Sequence, residues 1–257
     1  MKTNQLAGWV AGIVLLTCSC KKGTTSVAPA EDQILLTKYV NYQAAFSIPS
    51  PAEIIDYNYD NLDRLQSVVT FLASPPPGTL FMYPDSLIYY YNNADTLPYK
   101  AIHYNNAAFT PAEYYTYDNQ QRIIKQQYVR PGFPNIDVAY AYFQNKIVIT
   151  NNVSANSDTL IYDGNNIIQD GNRFNMQFTA VQNPFNLVSI NRHIPYHLFI
   201  QGLGERSLNK DATLQIIDNS YGNTMHYQYD SIVNGLPGKA VTTINAQPAS
   251  REYFYYR

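Results

Sequence analysis

Apolar and polar residues alternate along most of this chain, and the alternation predicts β-strands. In DVAYAY, beginning at Asp137, and in MHYQY, beginning at Met225, every second residue is apolar or aromatic. Successive side chains of a strand point to opposite faces, so this pattern indicates one buried and one solvated face. Turn-forming residues interrupt the pattern at the roughly 8–12 residue spacing of antiparallel architectures. We therefore predict an all-β fold, an antiparallel meander of roughly 10–14 strands that forms a strongly curved sheet or an up-and-down barrel.

A short motif recurs within this pattern and indicates a repeated structural unit. Tyr-x-Tyr followed by Asp or Asn begins at Tyr57, Tyr89, Tyr115 and Tyr227. After the first and third copies the chain continues Asp-Asn-x-x-Arg and an aliphatic residue; after the other two it reaches Leu-Pro-x-Lys-Ala. Self-similarity of this kind is typical of repeated supersecondary units.

Each copy of the motif is interpreted as a β-hairpin. The two tyrosines of Tyr-x-Tyr fall on one face of a strand, and Asp-Asn then begins a turn, because these side chains bond to nearby amides. Further turns are predicted at 144–145, at Asp163-Gly164 and near Gly222. Degenerate copies of the motif are expected at Tyr140 and Leu160.

Prolines and helix-start patterns complete the prediction of secondary structure. Pro98 and Pro237 are expected to prevent the sheet from continuing through their turns. SPAE and TPAE resemble helix starts, but each runs straight into a Tyr-x-Tyr strand, so neither is predicted as a helix. A short helix is placed near 183–201.

The N-terminus has the pattern of a bacterial lipoprotein. A lysine is followed by the apolar run Leu6–Leu16, which has the length of a signal-peptide core and is short for a transmembrane helix. A small residue then precedes a cysteine, the arrangement required for cleavage and lipid attachment. Cys20 after Ser19 is the preferred lipidation site and Cys18 the alternative, while an ordinary signal peptide with incidental cysteines stays open.

These observations divide the chain into three parts. The segment after Cys20 is small, polar and proline-bearing, which is typical of a flexible tether. Both cysteines lie before the predicted domain, so its core forms without disulfides. The predicted parts are a lipoprotein signal peptide over 1–19, the lipidated cysteine and tether over 20–33, and a single β-hairpin-repeat domain over 34–257.

Composition narrows the classes of partner. The net charge is −2 and 14% of residues are charged, against roughly 25% in ordinary domains. No basic stripe is present to neutralise phosphates, which argues against nucleic acid. The 24 tyrosines outnumber the 11 phenylalanines and single tryptophan together. Tyrosine suits a pleated surface that is apolar on one side and wet on the other.

The Tyr-Asp hairpins resemble the tyrosine–aspartate (YD) repeats of large secreted bacterial shell proteins. With TCSCKK ahead of them, the whole chain resembles a family of Gram-negative outer-membrane lipoproteins, a domain of unknown function described as porin-like in fold. The resemblance implies an up-and-down curved sheet or barrel, lipidated and located at the outer membrane, on its periplasmic or surface face. It supplies no catalytic residues.

No established catalytic or cofactor motif accompanies the hairpins. G-x-S-x-G, H-E-x-x-H and the P-loop are absent, so no cofactor is predicted. His193 and His197 have a spacing that can share a metal on a helix, but Pro195 stands between them, and we predict no metal site. His103 and His226 are interpreted as turn or surface residues.

Carboxylates and the repeated tyrosines leave functional alternatives open. Glu53, Asp56 and Glu113 are candidates for glycosidase chemistry, which needs two carboxylates, whereas the aspartates of the turns are interpreted as turn formers. The repeated arginines are interpreted as structural, each stacking on its own tyrosine or capping its own turn. The alternative is that they contact a ligand. The candidate ligand contacts are Tyr57, Tyr59, Tyr89, Tyr91, Tyr115, Tyr117, Arg64 and Arg122.

The sequence therefore favours a non-enzymatic, lipid-anchored binding or scaffold module of the cell envelope. Exposed tyrosines beside Asn and Gln suit sugar rings, so a polysaccharide or an envelope protein is the expected partner besides the membrane. A glycan-active enzyme is the first alternative and an outer-membrane pore the second. The oligomeric state is left open.

Overall fold

A computed structural model describes residues 34–43, 51–72, 83–104, 110–153, 157–164, 166–171, 173–188 and 209–257. The predicted signal peptide, both cysteines, the tether, His193 and His197 lie outside these ranges. In the described ranges no helix is long and apolar enough to cross a membrane. The strands are β1 Leu36–Gln43, β2 Glu53–Tyr59, β3 Leu65–Leu72, β4 Tyr83–Tyr90, β5 Lys100–Tyr104, β6 Ala112–Tyr117, β7 Ile123–Val129, β8 Ile136–Tyr142, β9 Lys146–Asn151, β10 Ser157–Asp163, β11 Asn166–Asp170, β12 Phe174–Gln182, β13 Asp211–Asp218, β14 Asn223–Val233, β15 Leu236–Ile244 and β16 Gln247–Tyr256.

The strands form a closed antiparallel barrel in which each strand pairs with its neighbours in sequence. Closure comes from β1, which pairs with β16 so that Tyr39 stands opposite Phe254. The all-β up-and-down prediction is confirmed. The described residues form sixteen strands, more than the predicted 10–14. The excess arises at β1 and β12, which carry no turn motif of the kind that marked the other strands.

Alternation along the strands separates a buried interior from an exterior that mixes polar side chains with exposed apolar ones such as Ile124 and Leu214. In β8 and β9 the inward residues Val138, Tyr140, Ile147 and Ile149 are buried. The same period continues around the barrel, and the inward side chains form one apolar cluster. Burial of these apolar side chains therefore stabilises the lumen side of the sheet.

Even-numbered strands finish, and odd-numbered strands begin, at one end of the barrel, which is called the turn end below. Tight connections there include the residues 60–64, 118–122, 143–145 and 234–235. The predicted turns at 144–145 and Asp163-Gly164 lie at this end, and the predicted turn at Gly222 lies at the opposite end.

One connection at the turn end enters the interior. The predicted helix near 183–201 is, in its described part, a single 3₁₀ turn at Pro184–Leu187. Phe185 and Val188 are fully buried, and the Phe185 ring meets the rings of Tyr39 and Phe254 edge-on at 5.3 Å and 5.6 Å between centroids. Residues 184–188 are called the plug segment, because they fill the space between β1, β16 and the rest of the core.

Pro237 corrects another prediction. It does not end the sheet but stands in β15, opposite Ile232 of β14. It is the second residue of its strand, where a missing amide hydrogen is tolerated. The Pro237 carbonyl accepts a hydrogen bond from the Tyr256 hydroxyl at 2.6 Å.

Candidate functional site

A ring of half-buried tyrosines lines the turn end and explains the repeat. The second tyrosine of each motif packs against the core and donates its hydroxyl to a backbone carbonyl at the start of the preceding odd strand or in its turn. The same bond is made by Tyr142, in the degenerate copy at Tyr140, and by Tyr256 of the last strand. The bonds are Tyr59 to Leu36 at 2.7 Å, Tyr91 to Leu65 at 2.7 Å, Tyr117 to Pro98 at 2.9 Å, Tyr142 to Ile123 at 2.8 Å, Tyr229 to Thr213 at 2.9 Å and Tyr256 to Pro237 at 2.6 Å.

The aspartate after the first and third copies of the motif organises its turn, as predicted. Asp230, after the fourth copy, instead stands within β14, so its interpretation as a turn former was wrong. One carboxylate oxygen of Asp60 accepts the backbone amides of Leu62 and Arg64, at 2.9 Å and 3.0 Å. The other oxygen accepts two nitrogens of the Arg64 guanidinium, each at 2.7 Å. Burial alone would raise the pKa of Asp60, but the hydrogen bonds from Arg64 outweigh it and hold that pKa below its usual value. Asp118 and Arg122 repeat the arrangement.

The arginines cap their own turns but stack on a different tyrosine from the expected one. The Arg64 guanidinium lies 4.5 Å from the ring centre of Tyr91, and Arg122 lies at the same distance from Tyr142. Each therefore joins its hairpin to the next one around the barrel, through a cation–π contact. Arg64 also donates to the carbonyls of Asn93 and Asp95 at 2.7 Å and 3.0 Å.

Replacement of Asp60 tests the turn. We expect Asp60→Ala to lower the free energy of unfolding by about 2 kcal/mol, because two amides and the Arg64 guanidinium lose their acceptor. Asp60→Asn should lose less, since its amide oxygen still accepts the two amides. Chemical denaturation measures both. Asp163→Ala is the matched control, because Asp163 is an exposed turn aspartate at the same end, and we expect a change within about 0.5 kcal/mol. Equal losses at Asp60 and Asp163 would contradict this role.

The first tyrosine of each motif points into the barrel. Tyr57, Tyr89 and Tyr115 are buried in the core cluster. Burial raises the pKa of the Tyr89 and Tyr115 hydroxyls well above their usual range, and the neighbouring Glu113 carboxylate raises it further. These three rings are therefore part of the interior.

A buried polar network crosses the interior from β6 to β8. Tyr115 and Gln126 each donate to the same oxygen of Glu113 at 2.7 Å, and the Tyr140 hydroxyl donates to the Gln126 side chain at 2.8 Å. Glu113 is 1% exposed. Burial raises its pKa, and the two hydrogen bonds oppose that rise. The Tyr89 hydroxyl is buried and has no hydrogen-bond partner within the described part of the chain.

Two of the four histidines lie in described segments. His103 is buried on the inner face of β5 and contacts the Asp85 carboxylate of β4 through Nε2. It is a core residue, which corrects its interpretation as a turn or surface histidine. His226 stands on the outer face of β14. The described residues contain no group of three His, Cys, Asp or Glu that could hold a metal ion.

A groove of about 430 Å³ lies on the outside of the first hairpins. Of the predicted ligand residues, Tyr57 and Tyr59 border it. Its carboxylate, Asp56, is paired with Lys38 at 3.1 Å. The full lining is Thr37, Asp56, Tyr57, Asn58, Tyr59, Val69, Phe71 and Arg257.

A cluster of exposed aromatic residues occupies the outer face of β4–β6. Lys100 stands in register between Tyr90 and Tyr114, with its ammonium nitrogen 5.7 Å and 5.4 Å from their ring centres. Tyr99 and Tyr104 lie beside them and are 41% and 44% exposed. Sequence reasoning favoured the two inward tyrosines of each Tyr-x-Tyr motif and missed this cluster. The cluster could have been found from the middle position of the motif, which points outward and is a tyrosine, Tyr90, in the second copy.

Comparison with solved structures identifies similar folds. The barrel is similar to a porin-like protein from Bacteroides uniformis ATCC 8492, with a TM-score of 0.55, 13% identity, and coverage of 86% of this chain and 96% of that one. A porin-like protein from Bacteroides vulgatus ATCC 8482 also matches, with a TM-score of 0.36, 13% identity, and coverage of 87% and 98%. No family model matches the chain, and no curated protein matches it. At these identities the first likeness shows the fold, a porin-like β-barrel.

Proposed function

We propose that this protein is a lipid-anchored, non-enzymatic binding module of the outer membrane, with its barrel as a filled scaffold. The observation that carries the proposal is the combination of a filled lumen with an outer face that carries charged pairs. The plug segment and the buried tyrosines occupy the interior, where a pore would need water. The functional surface of such a barrel is its exterior and its ends.

Charged pairs on the outer face support a barrel that lies outside the bilayer. Lys125 of β7 pairs with Asp137 of β8 at 3.3 Å, and Lys38 pairs with Asp56 across β1 and β2. A spanning barrel presents an apolar band there, and a lysine at mid-membrane destabilises it by about 2–4 kcal/mol. These strands also have seven or eight residues, against about 9–11 for spanning strands.

The geometry favours binding over glycan hydrolysis. Glycosidases use two carboxylates that face one cleft. The outer groove holds one carboxylate, Asp56, and Lys38 neutralises it. Glu113 is enclosed by the core. The aromatic cluster on β4–β6, by contrast, offers stacking surfaces without a catalytic requirement.

The hairpin geometry also supports the YD-repeat interpretation. In the two full copies, aspartate closes the turn and the second tyrosine binds the preceding hairpin. The motif thus stabilises its own turn and the contact with the neighbouring strands, and this role needs no ligand. We infer that Arg64 and Arg122 serve the barrel first, and that any ligand contact they make is at the rim of the turn end.

Anchoring is tested by removing the lipid attachment site. We expect Cys20→Ala to move the protein from the membrane fraction to the soluble periplasmic fraction, because no lipid can then be attached. Cys18→Ala is the matched control and should leave the protein in the membrane. If the double variant still fractionates with membranes, the anchoring proposal is wrong. Release by Cys18→Ala alone would move the lipidation site to Cys18.

The binding role is tested with the whole mature protein, extracted in detergent. Native gels containing single polysaccharides, neutral and anionic, should retard it in at least one case. Planar bilayers distinguish the pore: we expect no conductance steps. Stable steps together with unretarded migration in every gel would replace the binding proposal by a pore.

A further inference from the structure

We infer that the aromatic cluster on the outer face of β4–β6 is a binding site for an anionic polysaccharide. This inference rests on the proposed binding function and assigns it to a surface and a ligand class. The cluster consists of Tyr90, Tyr99, Lys100, Tyr104 and Tyr114, and it is called the lysine–tyrosine platform.

The register of the strands builds the platform as a row across the sheet. Tyr90 of β4, Lys100 of β5 and Tyr114 of β6 are directly paired, so their side chains project side by side from the outer face. Ile102 lies between Ile88 and Ala112 in the next row. An apolar floor therefore continues from the charged row toward Tyr104, at the far end of β5.

The spacing of the rings suits consecutive sugars. Tyr90 and Tyr114 are two strands apart, which is about 9–10 Å at ordinary strand spacing. That separation is comparable to the length of two sugar residues in an extended chain. Burial raises the pKa of the Tyr90 hydroxyl, and the nearby Tyr104 hydroxyl raises it further, so the platform also presents two hydroxyl groups close together. Rings for stacking and polar groups for orientation are the two requirements of a sugar site.

The charge of the platform selects the ligand class. Within the described residues the ammonium group of Lys100 contacts the two rings and forms no ion pair with a carboxylate. Two outer-face lysines of other strands differ: Lys125 of β7 is paired with Asp137, and Lys38 of β1 with Asp56. Lys100 is thus an uncompensated cation between two stacking surfaces. A carboxylate or sulfate group on the sugar complements it, and a neutral polymer does not.

The matched ligands are polygalacturonate and its fully methyl-esterified form, which share one backbone and differ in charge. Chondroitin sulfate is added as a second anionic polymer. The whole mature protein, extracted in detergent, is run in native gels containing each polymer at low and at physiological salt. We expect retardation by at least one anionic polymer, at least tenfold weaker interaction with the esterified polymer, and weakening by salt.

Variants locate the site. Lys100→Gln and Tyr114→Ala should each weaken retardation at least tenfold. The controls are Lys146→Gln, a lysine beside the Phe143 ring on another strand, and Tyr221→Ala, a 74% exposed tyrosine at the opposite end. Both controls should bind as the wild type does. All four side chains are on the surface, and unchanged melting temperatures verify that each variant is folded.

Each outcome decides the inference. Loss of binding at Lys100 and Tyr114 with retention in both controls supports it. Equal loss at Lys146 overturns it in favour of unspecific charge attraction. Retardation by a neutral polymer that the platform variants leave intact overturns the inference but supports the proposed binding function. Unretarded migration with every polymer overturns both this inference and the proposed binding function. If release from the membrane still depends on Cys20, the anchoring proposal alone is then supported.

Discussion

Phe185→Ala is expected to lower the free energy of unfolding by about 3–5 kcal/mol. Phe185 is fully buried and is surrounded by core residues, including the rings of Tyr39 and Phe254. Removing it takes away the burial of a large apolar side chain and leaves a cavity that a closed barrel cannot collapse, because the strands around it are hydrogen bonded on both sides. For a domain of this size the melting temperature should fall on the order of 10 °C.

Buried asparagines explain why the plug segment cannot move to refill that cavity. Asn183 accepts the amide of Phe185 at 3.1 Å and donates to the carbonyl of Asn209 at 2.7 Å. Asn209 in turn accepts the amide of Ile167 at 2.6 Å. The segment is therefore attached to Asn209, two residues before β13, and through it to β11, so its backbone position does not depend on the phenylalanine.

The measurement is chemical denaturation of Phe185→Ala, Phe185→Leu and the control Phe133→Ala. The leucine retains most of the apolar burial and loses the edge contacts with two rings, so its loss should be about 1–2 kcal/mol. Phe133 is 48% exposed and stacks under Arg130, so its removal should change stability by less than about 1 kcal/mol. A loss at Phe185 no larger than that at Phe133 would mean that the plug segment is dispensable to the barrel.

Local pattern was enough to predict most of the strands and turns. Period-two alternation identifies a strand through a few neighbouring residues, and Asp60 bonds to amides only two and four residues away. Both signals are local in sequence. The pairing of each strand with its sequence neighbour followed from the short turns, so the up-and-down order was predictable too.

Contacts between distant residues were not predictable in the same way. The barrel closes through the pairing of β1 with β16. Closure could not be predicted, because either strand would show the same alternation in an open sheet. Arg64 was expected to stack on its own tyrosine or to cap its own turn; it caps the turn, but its guanidinium lies over Tyr91, directly after β4. The plug segment was predicted as part of a short helix near 183–201, and no local pattern indicated that Phe185 would pack against Phe254 of β16. The predicted ligand residues were chosen by motif, which does not say that Tyr57 points inward and Tyr90 outward.

Replacement of Glu113 is the second change expected to have a large effect on the free energy of unfolding, and the sign of that effect depends on pH. Burial raises the pKa of Glu113 in the folded protein, so above the ordinary glutamate pKa of about 4.3 the folded state binds more protons than the unfolded state. Stability contributed by this group is therefore fully present at low pH and is lost as the pH rises through the folded-state pKa. Each unit of the rise corresponds to about 1.4 kcal/mol.

Glu113→Gln and Glu113→Ala separate the charge from the hydrogen bonds. Glutamine keeps an oxygen that accepts from Tyr115 and Gln126 and carries no charge, so it should match the wild type near pH 4.5 and become the more stable protein as the pH rises to 8. Alanine leaves both donors in the core without an acceptor and leaves a cavity, so its free energy of unfolding should be about 3 kcal/mol below that of the wild type at pH 4.5. The difference should be smaller at pH 8, because the wild type then holds a buried charge. Unfolding free energies at several pH values measure these differences. A glutamine variant whose stability runs parallel to that of the wild type from pH 4.5 to 8 would show that the carboxyl group keeps an ordinary pKa inside the barrel, and the interior would then have to admit water to it.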